Sequence, residues 1–168
     1  MRILIVLLLL VVQTAFGQDI HQAARANDVK AIQHYLAQHI AVDTVDARGF
    51  TPLILAVYNQ QMEAATILLA EKANVNAADY SGNTALMGAC FKGDLKAVQL
   101  LLANKAAVNQ QNLNQATALI FAATFGHSAI VKLLLAQGAN KDIPDSRGLK
   151  ALDHATMQEN NEIISLLK

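Results

Sequence analysis

Asp79-Tyr80-Ser81-Gly82-Asn83-Thr84-Ala85-Leu86, continued by Gln99-Leu100-Leu101-Leu102-Ala103 and Ala106-Ala107-Val108-Asn109, is the stretch on which the fold turns. Displaced by 33 residues in either direction, it meets a copy of itself. Its turn signal recurs as Asp46-Ala47-Arg48-Gly49, Asn112-Leu113-Asn114-Gln115 and Asp145-Ser146-Arg147-Gly148. A Thr and a small residue follow at fixed offset in Thr51-Pro52 and Thr117-Ala118, with Lys150-Ala151 as an eroded last copy. The leucine segment returns as Thr66-Ile67-Leu68-Leu69-Ala70 and Lys132-Leu133-Leu134-Leu135-Ala136. The loop after it returns as Ala73-Asn74-Val75-Asn76 and Ala139-Asn140-Lys141-Asp142. A period of this length predicts a stacked solenoid, each unit burying its apolar faces against its neighbours.

Each full unit reads as turn, helix, short turn, helix, loop. Thr84 is placed to cap the first helix by accepting a hydrogen bond from an orphan amide, and Leu86, Ala89 and Cys90 form its apolar stripe. Pro52 falls at a first helical position, where a missing N–H costs nothing. Gly93 and Gly126 divide the helices where the other units carry Asn27, Gln60 and Glu159. Val98, Leu101 and Leu102, or Ile130, Val131, Leu134 and Leu135, give the second helix its spacing. A left-handed residue is expected after it, at Gly138 and its equivalents His39, Lys72 and Lys105. A non-glycine residue there costs on the order of 1 kcal/mol.

Taken together these residues resemble the ankyrin repeat, whose pattern is approximately D-x-x-G-x-T-P-L-x-x-A-x-x-x-G-x-x-x-x-V-x-L-L-L-x-x-G-A-x-V-N. The resemblance implies an all-α ankyrin-repeat solenoid of helix-turn-helix units joined by β-turn loops. It divides the chain into an N-terminal capping repeat over 18–45, ankyrin repeats over 46–78, 79–111 and 112–144, and a truncated C-terminal capping repeat over 145–168. Only one Thr-Pro survives, and the family's frequent His after the Leu is replaced by Ile54, Met87 and Ile120.

Residues 1–17 stand apart and read as a signal peptide. Arg2 gives a positive start, Ile3 to Val12 is unbroken apolar sequence, and small Ala15 and Gly17 occupy the positions a signal peptidase reads. Ten apolar residues fall short of the roughly 20 that span a bilayer, so cleavage before Gln18 is expected rather than a membrane anchor. No Cys follows the run to carry a lipid. Cys90 is the only cysteine, which excludes an internal disulfide. It shares a column with Ala24, Val57, Ala123 and Thr156 and is expected to be a small buried hydrophobe. A short positive start and a disulfide-free exported fold point to a bacterial periplasm.

Thirteen basic and thirteen acidic side chains leave no basic excess for nucleic acid. Catalytic residues are not discernible. Ser81, Ser128 and Ser146 lack a nucleophile elbow. His21, His34, His39, His127 and His154 show no metal-ligand spacing. No phosphate loop is present, and neither cofactor, metal nor small-molecule ligand is expected. A Cys90–His127 pair is the one nucleophilic arrangement conceivable, and a buried thiol argues against it.

The resemblance implies binding through the concave side, formed by turn tips and the exposed edges of first helices. Five of the seven aromatics after residue 17, namely Phe50, Tyr58, Tyr80, Phe91 and Phe125, map to variable positions there, while Tyr35 and Phe121 fall in core columns. Arg25, Arg48, Lys92 and Arg147 map to the same side, with Asp28, Glu63, Glu71, Asp94 and Glu162 elsewhere. Asp46, Asp79 and Asp145 are expected to cap their own turns. Rings with arginine match the make-up of binding hot spots, so the expected partner is a protein with an acidic, partly apolar surface. Three readings follow. The first is a monomeric exported adaptor, which the resemblance to small exported bacterial ankyrin proteins links to periplasmic catalases or other stress enzymes. The second is an immunity protein against a periplasm-acting toxin, and the third a small enzyme using Cys90 or His127.

Overall fold

The computed structural model describes residues 19–168, so the proposed signal peptide lies outside the described residues. Ten helices run α1 (Ile20–Ala26), α2 (Val29–Ala37), α3 (Pro52–Tyr58), α4 (Met62–Ala70) and α5 (Ala85–Lys92). They continue as α6 (Leu95–Ala103), α7 (Ala118–Thr124), α8 (Ser128–Ala136), α9 (Ala151–Met157) and α10 (Asn161–Leu167). Among the described residues there are no named strands, only a bridge between Ala78 and Thr84. None of these helices is long and apolar enough to cross a membrane.

Local chemistry sets each helix. Thr51, Thr84 and Thr117 accept from the amides of Ile54, Met87 and Ile120 at 3.3, 3.4 and 3.4 Å. Lys150 cannot do this, and Asp153 Oδ2 instead accepts the Lys150 amide at 2.8 Å. Asp28, Asp94 and Asn160 cap α2, α6 and α10 in the same manner. Gln61 offers α4 no side-chain cap, and Asn27 of the preceding unit accepts the Ala64 amide at 2.9 Å in its place. Where helices meet, Asn27, Gln60, Gly93, Gly126 and Glu159 all turn left-handed. His39, Lys72, Lys105 and Gly138 do so after the second helices.

The odd-numbered helices form an inner row, each packed on the next, and the even-numbered helices an outer row with sparser contacts between neighbours. Leu53, Leu86 and Leu119 fill the inner row, and Ile32, Leu68, Leu101 and Leu134 the outer, all essentially inaccessible. Ala64, Ala65, Ala97, Ala122 and Ala123 let the rows approach. Cys90 lies fully buried among them. Thr156, in its column, is exposed because no unit follows it among the described residues.

Two sets of bonds tie unit to unit. At the turn tips the amides of Tyr80, Leu113 and Ser146 donate to the carbonyls of Arg48, Ser81 and Asn114 at 3.2, 3.0 and 2.8 Å. In the loops, Asp43, Asn76 and Asn109 accept from the amides of Asn74, Ala107 and Asn140 at 2.9, 2.7 and 2.7 Å. These loop stitches recur at the period of the sequence.

Candidate functional site

The exposed edges of the inner helices carry a continuous strip of rings. Tyr58 at the end of α3 stacks on Phe91 near the end of α5, centroids 5.9 Å apart and planes 14° from parallel. Phe91 meets Phe125, just after α7, edge to face at 4.6 Å and 73°. The period delivers this directly, because the three residues occupy nearly the same place in successive units. They remain 44, 36 and 45% exposed. Lys92 lays its ammonium 4.4 Å from the Tyr58 centroid, a cation–π contact at the outer edge of the strip.

Beside the strip runs a groove. Its larger section, about 610 Å³, is lined by Arg25, Arg48, Phe50, Tyr58 and Phe91 together with Leu55, Met87, Gly88 and Phe121. A second section of about 370 Å³ continues it past Phe125 to Arg147 and His154. Asn112, Asn114 and Phe121 line both.

Two sequence expectations need correction here, those for Phe121 and for the cations. Phe50 is half-buried and packs on the core, so it walls the groove more than it projects from it. Phe121, expected in the core, turns part of its ring into the groove. Tyr80, expected on the variable face, is 67% exposed and lies apart from the strip over Gly49, where a Cβ would stand 2.5 Å from Tyr80 Cδ1. The cations are not as one-sided as the pattern implied. Arg25 pairs with Asp46 at 2.9 Å, Arg147 pairs with Asp145 at 3.1 Å, and Asp79 itself lines the groove. Only Arg48 and Lys92 among the four carry no ion pair among the described residues.

The turn aspartates cap their own backbones and do more. Asp46 Oδ1 accepts from the amides of Arg48 and Phe50, leaving Oδ2 for Arg25. Burial alone would raise the Asp46 pKa, but those bonds and the nearby cations hold it below the ordinary carboxylate value. Asp145 accepts the amides of Arg147 and Leu149, the guanidinium of Arg147 and the His154 ring at 3.0 Å. Burial opposes ionisation there too, and the four partners still bring its pKa down to about 2. Asn112, where other units have Asp, accepts the amides of Asn114 and Ala116 and donates Nδ2 to Asn83 Oδ1 at 2.8 Å. Asn83 in turn donates to Asp79 at 3.2 Å. An Asp at 112 could not make that donation, so the departure from the repeat has a physical reason.

Sequence reasoning missed Gly88, Asn83, Asn112 and Asn114 as groove residues. Gly88 left a signal: it interrupts a helical column that holds Leu55 and Phe121 in the adjacent units.

The nucleophilic arrangement gains nothing from the geometry. Cys90 is fully buried, and burial pushes its thiol pKa far up. The His127 ring lies over Gly93, where a Cβ would come within 2.5 Å of Cε1, a packing role. Among the described residues no group of three or more His, Cys, Asp or Glu could hold a metal ion. Native Cys90 should therefore resist a thiol reagent until the protein unfolds. Cys90→Ala should cost about 1 kcal/mol or less, since Ala24 and Ala123 already fill that column. Rapid labelling of the folded protein would contradict this.

A family model for ankyrin repeats (3 copies) matches residues 20–112 and 86–168. A search of curated proteins gave no match. The two matched spans overlap and together run through every helix described, so the chain belongs to the ankyrin-repeat family, whose repeats give it a role in protein–protein interaction.

Proposed function

We propose that the protein is an exported adaptor that holds another protein against its concave face. Ankyrin-repeat proteins are typically interaction modules without enzymatic activity, which favours this over a reaction at Cys90 or His127. The observation that carries the proposal is the exposed strip Tyr58–Phe91–Phe125 alongside the groove. Rings held rigid on helix ends lose little entropy on binding and supply large contact area. Arg48 and Lys92 supply the charge for an acidic, partly apolar partner, and a periplasmic stress-response enzyme such as a catalase fits that role.

A pull-down from periplasmic extract, followed by titration of the captured protein, tests the face. Tyr58→Ala or Phe91→Ala should each weaken binding by about 2 kcal/mol or more with helicity intact. Arg48→Glu should slow association. Glu63→Ala and Glu71→Ala, at the start and end of α4, should leave affinity within about 0.5 kcal/mol. Loss of binding in those two alone would move the partner to the convex side. Export has its own check: the exported pool should begin at Gln18 by mass spectrometry, and an intact Met1 would indicate an anchor.

A further inference from the structure

Gly88 has no structural reason to be glycine. The other glycines among the described residues, Gly49, Gly82, Gly93, Gly126, Gly138 and Gly148, all have φ between 70 and 84°, where a side chain is strained. Gly88 sits instead in the interior of α5 with ordinary helical backbone. A Cβ built on it would meet a single neighbour, Tyr58 Cδ2, at 3.8 Å, an ordinary van der Waals contact. Glycine is among the poorest helix formers, so this position gives up stability with no gain in packing. What it creates is a recess. The adjacent units fill the same column with Leu55 and Phe121, and both line the groove on either side of the gap.

We infer that this recess is the anchor subsite of the groove, taking one bulky aliphatic or aromatic side chain of the partner protein. The inference rests on the concave-face reading above and deepens it. The nearest wall decides the chemistry: Tyr58 lies closest to the gap, and Leu55, Phe91 and Phe121 line the same groove with hydrocarbon, while its polar residues come mainly from the turns. The size follows from the column itself, since the missing side chain is of the class that Leu55 and Phe121 supply next door. Asp79 in the same groove spends its carboxylate on the Ser81 and Asn83 amides and the Asn83 side chain, whereas Arg48 carries no ion pair among the described residues, so the anchor side chain is flanked by an aspartate or glutamate of the partner. Filling and binding compete for one space.

A phage-displayed library of random peptides, panned on the purified protein, tests the subsite without a known partner. The wild type should select sequences with Leu, Met or Phe next to Asp or Glu. A synthetic peptide from that pool should bind Gly88→Leu at least tenfold more weakly. Gly88→Ala should lose affinity severalfold while its thermal midpoint rises by about 2–4 °C, the opposite of a folding defect. If Gly88→Leu fails to fold, Gly88→Ala decides the matter alone. Selection of no apolar residue, or affinity within twofold of wild type in the Gly88 variants, overturns the subsite. Phe91→Ala separates that failure from failure of the face. Peptides lost with Phe91→Ala but kept by the Gly88 variants leave the concave reading standing, and peptides kept by all variants remove both.

Discussion

Gly82→Ala is expected to destabilise the protein by about 3 kcal/mol, while Gly148→Ala costs about 1 kcal/mol. Both glycines have φ of 79°, so the intrinsic strain of adding a methyl is the same. That strain is tolerable, because Gln115 occupies the equivalent place in the third turn at φ 58°. The difference lies in what the methyl meets. At Gly82 a Cβ would stand 2.9 Å from the Leu113 amide nitrogen and 3.0 Å from Asn112 Cα, both main-chain atoms that cannot rotate away. The next turn must retreat, stretching the 3.0 Å bond from the Leu113 amide to the Ser81 carbonyl. At Gly148 nothing lies within 4 Å. Urea unfolding followed by circular dichroism measures both variants, and equal losses would show that backbone strain alone governs these turns.

Asp145→Ala is the second large effect, at about 3 kcal/mol near neutral pH. Asp145 is 6% exposed and serves two amides, a guanidinium and an imidazole, so its removal leaves the buried His154 ring and the two partly buried turn amides without their acceptor. The folded-state pKa of about 2 lies below the ordinary 3.8, which fixes the sign of the pH dependence. The stabilisation is complete above roughly pH 4 and is lost as pH falls through about 2. Wild type and variant should therefore converge in stability between pH 4 and about 2. A constant gap across that window would mean that the carboxylate acts through packing and not through its charge.

The repeat made most of the architecture legible, for reasons visible in single residues. Thr84 announces a helix start because its short side chain can only reach amides two or three residues on, and the structure puts its bond on Met87. Gly138 and Lys72 share a conformation because the same loop must be closed in both units. The ring strip was legible for the same reason: Tyr58, Phe91 and Phe125 fall at near-equal intervals. What the period could not supply is direction across the stack. Arg25 reaches an aspartate 21 positions away, and Arg147 doubles back onto Asp145, so charge counted by column overstated the cationic face. A column assigned to the core also says nothing about its neighbour. Phe121 is partly open and lines the groove, in the column where the preceding unit carries Gly88 and no side chain.

The loop stitches from Asp43, Asn76 and Asn109 have a mechanical consequence. Each joins only adjacent units, as do the helix contacts, so the seams bear tension on the two ends in series and the weakest gives way first. The stack then yields like a ratchet. Each 33-residue unit that gives way releases roughly 110 Å of extended chain while the others keep their shape. A partner gripped near Phe91, in the middle of the array, would stay held through the loss of an outer unit, and the slack would absorb the pull before the grip felt it.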